Sequence, residues 1–150
     1  NHPIEVANMI ANVGLIEDED ILAAALLHDT VEDCGVLPEE ITEKFGEAVC
    51  GYVMEVTDDK SLPKHTRKLL QIEHAPHLSY GAKVIKLADK ISNVRDVIAS
   101  PAEDWDKQRR QEYVQWAVNV AEGLRGANDQ LDELFDEVVA MANEKLAEID

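Results

Sequence analysis

The stretch AAALLHDTVEDC, residues 23–34, begins like the buried face of a helix and then presents four ionisable side chains: His28, Asp29, Glu32 and Asp33. A charged group is costly to bury without a partner, so apolar flanks of this kind indicate pairing, a metal ion or a solvent-filled cleft. On a continuous helix His28 would lie over Glu32, and Asp29 over Asp33, so that one pocket could hold all four side chains. We therefore expect this segment to carry a site.

Apolar residues recur at intervals of three and four along the rest of the chain, and no sustained two-residue alternation occurs. This period predicts an all-α fold, a compact bundle of seven or eight helices with short loops. Capping and turn residues set the expected helix boundaries. The predicted helices run from Pro3 to about Val13, from Asp18 or Asp20 to about Glu32, from Pro38 to Gly46, from Ser61 or Pro63 to about Glu73, from Ser79 to about Ile98, and over roughly 104–125 and 127–148.

The chain length of 150 residues suits a single domain over 1–150, which at this size can bury a substantial core. The chain opens on Asn-His-Pro, and we expect a further segment upstream of it. No apolar run approaches the roughly 20 residues of a transmembrane helix, so we expect no membrane contact. The two cysteines, Cys34 and Cys50, follow neither a disulfide nor a metal spacing, which favours free thiols and a cytoplasmic location.

The net charge of −17 argues against DNA or RNA as a partner, because contacts to phosphates need Lys and Arg. The basic residues are unevenly spread, since 11 of the 14 fall between Lys60 and Arg110, where only six acidic residues occur. This distribution is either ordinary scatter on an acidic, solvated surface or a positive patch within a negative protein. A patch of that kind would suit a small polyanion.

Two further residues complete a candidate donor set for a metal ion. Asp89 interrupts an apolar stripe in the segment KLADKISN, and His2 stands at the start of the first predicted helix. With His28 and Asp29 they supply two imidazoles and two carboxylates, a set that suits Mn²⁺, Fe²⁺ or Zn²⁺ rather than Ca²⁺. A lone His-Asp pair is more often a surface pair, but four such residues on apolar helices favour a metal site.

These residues carry a resemblance to a known family. His2, His28-Asp29 and Asp89 match the H…HD…D pattern of HD-domain phosphohydrolases. From residue 2 to about residue 126, the chain is similar to small alarmone hydrolases, to metazoan SpoT homologues and to the hydrolase domain of Rel/SpoT enzymes. The segments that carry this similarity, in order, are HPIEVA, AALLHDTVED, FGEAV, EVTDDKSLPK, APHLSYGAKVIKLADKISNVRD and QEYVQWA.

The resemblance implies an HD-domain bundle that removes the 3′-pyrophosphate from ppGpp or pppGpp, a small nucleotide substrate, and yields GDP or GTP. It implies Mn²⁺ as cofactor, with other divalent transition metals as alternatives. Glu32 and Asp33 match an acidic pair expected to orient or deprotonate the attacking water. The implied metal ligands are His2, His28, Asp29 and Asp89, and the implied substrate-binding residues are Lys64, Asn93, Arg109 and Tyr113.

Two other functions stay open at this point. The same site could act as an NADPH 2′-phosphatase or another HD-type nucleotide phosphohydrolase, or the chain could be a non-catalytic module that binds alarmones. Glu32 and Asp33 favour an enzyme, because a sensor needs no base. The chain also departs from the family pattern: a basic segment usually precedes the HP motif, an aromatic residue or His is common where Ser92 stands, and Thr is frequent where Cys34 stands. Neither of these two departures falls on the metal pattern of His2, His28-Asp29 and Asp89.

The remaining histidines and tryptophans have no spacing that suggests a ligand role. We interpret His65, His74 and His77 as surface or packing residues. We interpret Trp105 and Trp116 as core or interface residues rather than platforms on which a ligand stacks. These interpretations leave the metal set and the basic segment as the features that indicate function.

Overall fold

The chain folds into nine α-helices and one 3₁₀ turn within residues 1–99 and 104–149, the part that this computed structural model describes. No strand occurs among those residues, so the prediction of an all-α fold is confirmed. The helices are α1 His2–Asn12, α2 Glu19–Leu27, α3 Thr30–Cys34, α4 Pro38–Phe45, α5 Glu47–Val56, α6 Lys64–His74, α7 Tyr80–Ala99, α8 Lys107–Glu122 and α9 Asp129–Ala147, with the 3₁₀ turn at Ala75–His77.

Helix α7 is the centre of the bundle, and α1, α2, α5, α8 and α9 pack around it. Its 20 residues form a rod about 30 Å long. Ile85, Leu87 and Ile91 are each at most 1% exposed, and together they cover more than one face of the helix. A helix that is apolar on most sides belongs in the interior. Any polar residue on α7 is therefore held inside the bundle, which is how Asp89 comes to be buried.

The predicted helix that reaches Glu32 is interrupted in the structure, where α2 ends and α3 begins at a two-residue junction. Two side chains at this junction bond to backbone carbonyls of the last turn of α2. His28 Nδ1 donates to the Ala25 carbonyl at 2.5 Å, and Thr30 Oγ1 donates to the Leu27 carbonyl at 2.7 Å. Such side-chain bonds compete with the helical ladder. The continuous helix predicted here was therefore wrong.

The sequence analysis assigns no helix between Gly46 and Ser61, yet α5 fills most of that interval. Gly46, with φ of 95°, ends α4 and begins α5 in a single residue, a backbone angle that favours glycine. Valines and Gly51 give α5 a weak intrinsic preference for the helix. Burial of Val49 and Val53 against α2 and α7 outweighs that preference.

The C-terminal helix predicted over 127–148 is observed as α9, and it packs along α7 and α8. Leu131, Phe135 and Val138 on one face are at most 4% exposed, whereas Met141 remains half exposed. No helix in the described part of the chain is both long enough and apolar enough to cross a membrane.

Candidate metal centre

Helices α1 and α7 and the α2–α3 junction bring the four predicted metal ligands together. His2 begins α1, His28 and Asp29 form the junction, and Asp89 lies in the middle of α7. His2 Nε2 lies 2.8 Å from Asp89 Oδ1, and His28 Nε2 lies 3.3 Å from both Asp89 Oδ1 and Asp29 Oδ2. Donor atoms of His2, His28 and Asp29 all lie within 4.8 Å of one another. One ion could therefore contact these three donors, and Asp89 lies beside two of them.

The orientation of the His28 ring tests whether this cluster fits a metal ion. Its Nδ1 faces the Ala25 carbonyl and must donate, so the neutral ring carries its lone pair on Nε2. That Nε2 is buried and finds no well-oriented hydrogen-bond partner among the described residues, although two carboxylates are near. A histidine ligand is normally fixed in this way through its other nitrogen. The two imidazoles and two carboxylates therefore fit a divalent transition metal.

Ser92 orients the other imidazole. It is fully buried, and its Oγ lies 2.9 Å from Nδ1 of His2. Ser92 is not part of the metal pattern in the sequence, yet it contacts one of the candidate ligands. A hydroxyl on one ring nitrogen turns the other nitrogen toward Asp89. The sequence holds no signal for this contact, because the two residues are 90 positions apart. Cys34, the other departure from the family pattern, is an exposed free thiol.

Asp89 is a carboxylate held between cations and hydrogen-bond donors. Its burial opposes ionisation, but Lys90 and the imidazoles of His2 and His28 hold the pKa of Asp89 well below its ordinary value. Its second oxygen, Oδ2, lies 3.4 Å from both Lys90 Nζ and Asn93 Nδ2. Burial lowers the pKa of Lys90 to about 8, against the attraction of Asp89. The Asp89 carboxylate, a candidate metal ligand, thus stays charged in a part of the site that little solvent reaches.

The candidate ligands line a pocket of about 230 Å³ that also holds Glu32 and Asn93. The carboxylate of Glu32 accepts the Asp58 backbone N–H at 2.8 Å, which fixes the orientation of the side chain. Burial raises the pKa of Glu32, and the Asp58 N–H partly offsets that rise. The structure therefore brings one predicted catalytic residue and one predicted substrate-binding residue to the metal ligands. The sequence analysis missed other lining residues, namely Asp58, Gln71, Lys86 and Lys90.

Asp33 lies outside the lining of this pocket. Its side chain is about half exposed, and one carboxylate oxygen accepts from Lys60 Nζ at 2.7 Å. The helical argument that put four ionisable side chains on one face was wrong, because the chain turns at His28 and Asp29 before Asp33 is reached.

Lys64, Arg109 and Tyr113 line a second pocket of about 400 Å³, between α6 and α8. Lys68 and Trp105, which the sequence analysis did not assign to a site, line it too. The Arg109 guanidinium lies 4.4 Å from the centre of the Trp105 ring. Burial, together with the charges of Lys64 and Arg109, lowers the pKa of Lys68. Three carboxylates, of Asp104, Asp106 and Glu112, line the same pocket, and Arg109 lies 3.6 Å from Asp104. The cations expected from the basic segment of the sequence thus stand here beside an equal number of acidic groups.

Tyr113 lines the second pocket and lies beside Asn93. Burial raises its pKa well above the ordinary value, although a hydrogen bond with Asn93, which lines the metal pocket, partly opposes the rise. Its phenol therefore stays protonated at neutral pH. The histidines interpreted as surface or packing residues, His65, His74 and His77, are all exposed.

Comparison with known proteins gives a consistent result. A family model described as HD domain matches residues 1–120. Proteins named guanosine-3′,5′-bis(diphosphate) 3′-pyrophosphohydrolase MESH1 are similar to this chain. The protein of Xenopus tropicalis is 54% identical, and the match covers 91% of this chain and 76% of that protein. The protein of Homo sapiens is 52% identical, and the match covers 89% of this chain and 74% of that protein. A solved structure of a metazoan ortholog of SpoT, described as hydrolysing ppGpp, superposes with a TM-score of 0.91 at 47% identity, covering 94% of this chain and 79% of that one. The chain therefore belongs to the HD-domain family, in the branch that contains the metazoan SpoT homologue.

Proposed function

We propose that this protein is a metal-dependent hydrolase that removes the 3′-pyrophosphate from ppGpp or pppGpp and releases GDP or GTP plus pyrophosphate. One observation carries the proposal: a chain about half identical to proteins named for this reaction gathers HD-type donors and a carboxylate of raised pKa in one pocket. HD-domain hydrolases depend on a divalent metal. Relatives in this branch that span most of the same length support the same substrate class.

His2, His28, Asp29 and Asp89 would hold the ion, and we propose Mn²⁺ because imidazole and carboxylate donors are mixed in the set. A bound divalent ion supplies Lewis-acid chemistry, since it acidifies water and withdraws charge from phosphoryl oxygens. The chain's own part is to fix the donors. The Ala25 carbonyl sets the His28 ring and Ser92 sets the His2 ring, so that each presents Nε2 to the same point.

Glu32 is the residue that we assign as the general base. In the reaction a water oxygen bonds to the phosphorus that carries O3′ of the ribose, and the bond from that phosphorus to O3′ breaks. Glu32 accepts the proton of the water, and O3′ takes up a proton as the nucleotide leaves. A raised pKa brings a carboxylate closer to the operating pH, which favours this role. Asp33 would act less directly, through the charge of Lys60 that it holds.

The nucleotide would extend from the metal pocket into the second pocket. Asn93 lines the metal pocket and Tyr113, beside it, lines the second pocket, and we assign both to the ribose and base region. Lys64 and Arg109 would bind the 5′-phosphates, Arg109 through paired N–H donors. This arrangement suits a ligand with two anionic ends, such as a guanosine that carries diphosphates at both the 3′ and 5′ positions.

We also propose that the partner is this nucleotide rather than DNA or RNA, because the net charge of −17 opposes the binding of a long polyanion. A cytoplasmic location is supported by the state of the cysteines. Cys34 and Cys50 are both free, and Cys34 is exposed, as in proteins of a reducing compartment.

The experiment is a product assay on a panel of substrates and metals. Protein stripped of metal is supplied with Mn²⁺, Zn²⁺ or Mg²⁺ and offered ppGpp, pppGpp or NADPH, and the products are separated by anion-exchange chromatography. We expect GDP and pyrophosphate from ppGpp, most rapidly with Mn²⁺. A higher kcat/KM for phosphate release from NADPH would reassign the protein as a 2′-phosphatase. Tight binding of ppGpp without turnover under every metal would make it a sensor.

A further inference from the structure

Two lysines on α7 are buried beside the candidate metal ligands, and the reaction described above uses neither. Lys86 is 8% exposed and Lys90 is 3% exposed, and both line the metal pocket. They are four residues apart, so their side chains leave the same face of the helix. A buried ammonium is costly unless protein or ligand groups compensate it. The contacts of these two ammonium groups therefore show whether the protein itself compensates their charge.

The protein offers these ammonium groups few acceptors. Within the described residues, Lys86 Nζ donates to the Val56 carbonyl at 3.4 Å, and Lys90 Nζ contacts Asp89 Oδ2 at 3.4 Å. Both distances are long for charge-assisted hydrogen bonds. An ammonium has three N–H donors. Each lysine therefore keeps donors for a group that enters the pocket.

The nearby carboxylates that could satisfy these donors are engaged elsewhere. Asp58 Oδ2 accepts from Gln71 Nε2 at 2.6 Å, and Glu32 accepts from the Asp58 backbone. Both carboxylates nevertheless line the same pocket as the two ammonium groups, so opposite charge stands near them. The negative charge of these carboxylates therefore stabilises the two ammonium groups, while part of their hydrogen-bonding capacity stays free for a ligand.

Trp116 holds Lys90 in place from the opposite side. The Lys90 Nζ lies 4.3 Å from the centre of the Trp116 ring, within the range of a cation–π contact. The ring is itself fixed, because Trp116 Nε1 donates to the Lys68 carbonyl at 3.1 Å and so ties α8 to α6. The aromatic face does not use up the three N–H donors of the Lys90 ammonium. It positions the ammonium and leaves donors toward the pocket.

We propose that Lys86 and Lys90 form a cradle of two ammonium groups that binds the 3′-diphosphoryl group of the substrate, with Trp116 as a positioning residue for Lys90. This rests on the proposed function, which supplies a diphosphoryl group at this end of the pocket. Phosphoryl oxygens accept several charge-assisted hydrogen bonds at once. The cradle would then favour a 3′-diphosphate over a nucleotide that lacks it.

The test compares two nucleotides that differ only in that group. Binding of ppGpp and of GDP is measured by calorimetry on Mn²⁺-loaded protein carrying Glu32→Gln, to slow turnover, with and without Lys86→Met or Lys90→Met. We expect each lysine variant to bind ppGpp about 10- to 100-fold more weakly, the loss typical of one charge-assisted hydrogen bond, and GDP within about twofold of its parent. Lys83→Met is the matched control: it removes a charge from the same helix outside the pocket lining, and should change neither affinity.

Trp116 is tested in the same background by two substitutions. Trp116→Phe keeps an aromatic face for Lys90, whereas Trp116→Leu does not. We expect the affinity for ppGpp to fall further with Leu than with Phe, while GDP binding changes little in either. Equal losses in the two variants would remove Trp116 from the proposal.

The cradle is overturned if the ratio of ppGpp to GDP affinity stays at the parent value in both lysine variants, or if the two affinities fall together. It is also overturned if both lysine variants fold but lose the metal, because the lysines would then support the ligands instead of the substrate. These outcomes do not depend on turnover. Absence of ppGpp hydrolysis by the unmodified protein would instead refute the proposed function, while the affinity ratio could still be read.

Discussion

Asp89 shows how much of this site depends on a single residue. One carboxylate oxygen faces two imidazoles, and the other faces an ammonium and an amide. It stands on the helix that the whole bundle surrounds, so the core fixes its position. A carboxylate buried among apolar residues would be unfavourable without these partners. Core packing thus fixes the position of a side chain that takes part in the proposed chemistry.

Removing one imidazole should remove the metal. We expect His28→Ala to retain less than about a tenth of the bound metal and to lose hydrolysis, because a site deprived of one donor loses both affinity and geometry. Metal content is measured by mass spectrometry after dialysis, and His65→Ala, on an exposed histidine of α6, is the control. Full metal occupancy in the His28 variant would contradict the ligand assignment.

The two acidic residues of α3 should differ in their effect on turnover. Glu32→Gln keeps the shape of the side chain but removes a proton acceptor, and we expect kcat to fall by about 10²-fold or more with metal content unchanged. Asp33→Asn should cost less, because Asp33 faces Lys60 outside the pocket lining. Single-turnover kinetics separate the two. A larger fall in kcat in the Asp33 variant than in the Glu32 variant would make Asp33 the general base. Loss of metal in both variants would mean that the two residues support the metal ligands.

At the scale of helices, α8 is fixed by a close approach near its C-terminal end. A Cβ added to Gly123 would lie 2.7 Å from both Ala75 Cβ and Pro76 Cδ in the 3₁₀ turn, and neither atom can move freely. This contact sets how α8 lies against the segment that joins α6 and α7. Because α8 carries Arg109 and Tyr113, the second pocket depends on it.

We expect Gly123→Ala to lower the free energy of unfolding by about 1–3 kcal/mol, the usual cost of overpacking. Gly51→Ala is the matched control, since Gly51 lies within α5 and nothing stands within 4 Å of an added Cβ. That substitution should raise the free energy of unfolding by about 0.5–1 kcal/mol. Urea denaturation measures both. Equal effects of the two substitutions would show that the close approach does not matter.

Helices differ in how far the sequence predicts them. The long helices α7 and α9 are predicted well, because each carries a regular apolar stripe over about five turns. Helix α5 was missed, since its valines and Gly51 favour the helix weakly and its stability comes from packing. The junction at His28 was missed because it depends on side-chain bonds to carbonyls, which no apolar period reveals.

The same distinction applies to the site. Asp89 and His28 stand out in sequence because they interrupt apolar runs, and the structure brings them together. Lys90 interrupts the same stripe one position later, a signal that could have indicated it. Ser92 gives no such signal, because its contact with His2 joins residues that are far apart along the chain. Lys68 belongs to the basic segment of the sequence, but only the fold brings it to the second pocket.

At the scale of the whole molecule, the chain is strongly acidic, and three of its few cations meet at the second pocket. The net charge is −17, and Lys64, Lys68 and Arg109 line that pocket together with Asp104, Asp106 and Glu112. If these cations bind the phosphates of the substrate, the attraction depends on ionic strength. Salt weakens this effect, because the screening length falls from about 10 Å at 0.1 M to about 3 Å at 1 M.

We therefore expect KM for ppGpp to rise several-fold, about 3- to 10-fold, when KCl is raised from about 50 mM to about 500 mM, with a smaller change in kcat. Lys64→Gln should reduce this dependence on salt. Lys44→Gln, an exposed charge on α4 outside the pocket, should leave it as in the parent protein. A KM that does not respond to salt would mean that the cations of the second pocket do not receive the phosphates.

The central claim is that the chain hydrolyses the bond between the 3′-diphosphate and the ribose. The most direct measurement is ³¹P nuclear magnetic resonance of ppGpp during reaction in ¹⁸O-enriched water with catalytic Mn²⁺, quenched with chelator before each spectrum. The account predicts equal amounts of GDP and pyrophosphate, with the ¹⁸O atom in the pyrophosphate, because water attacks the phosphorus that carries O3′. Release of orthophosphate in place of pyrophosphate, or unchanged ppGpp with metal-loaded protein, would contradict it.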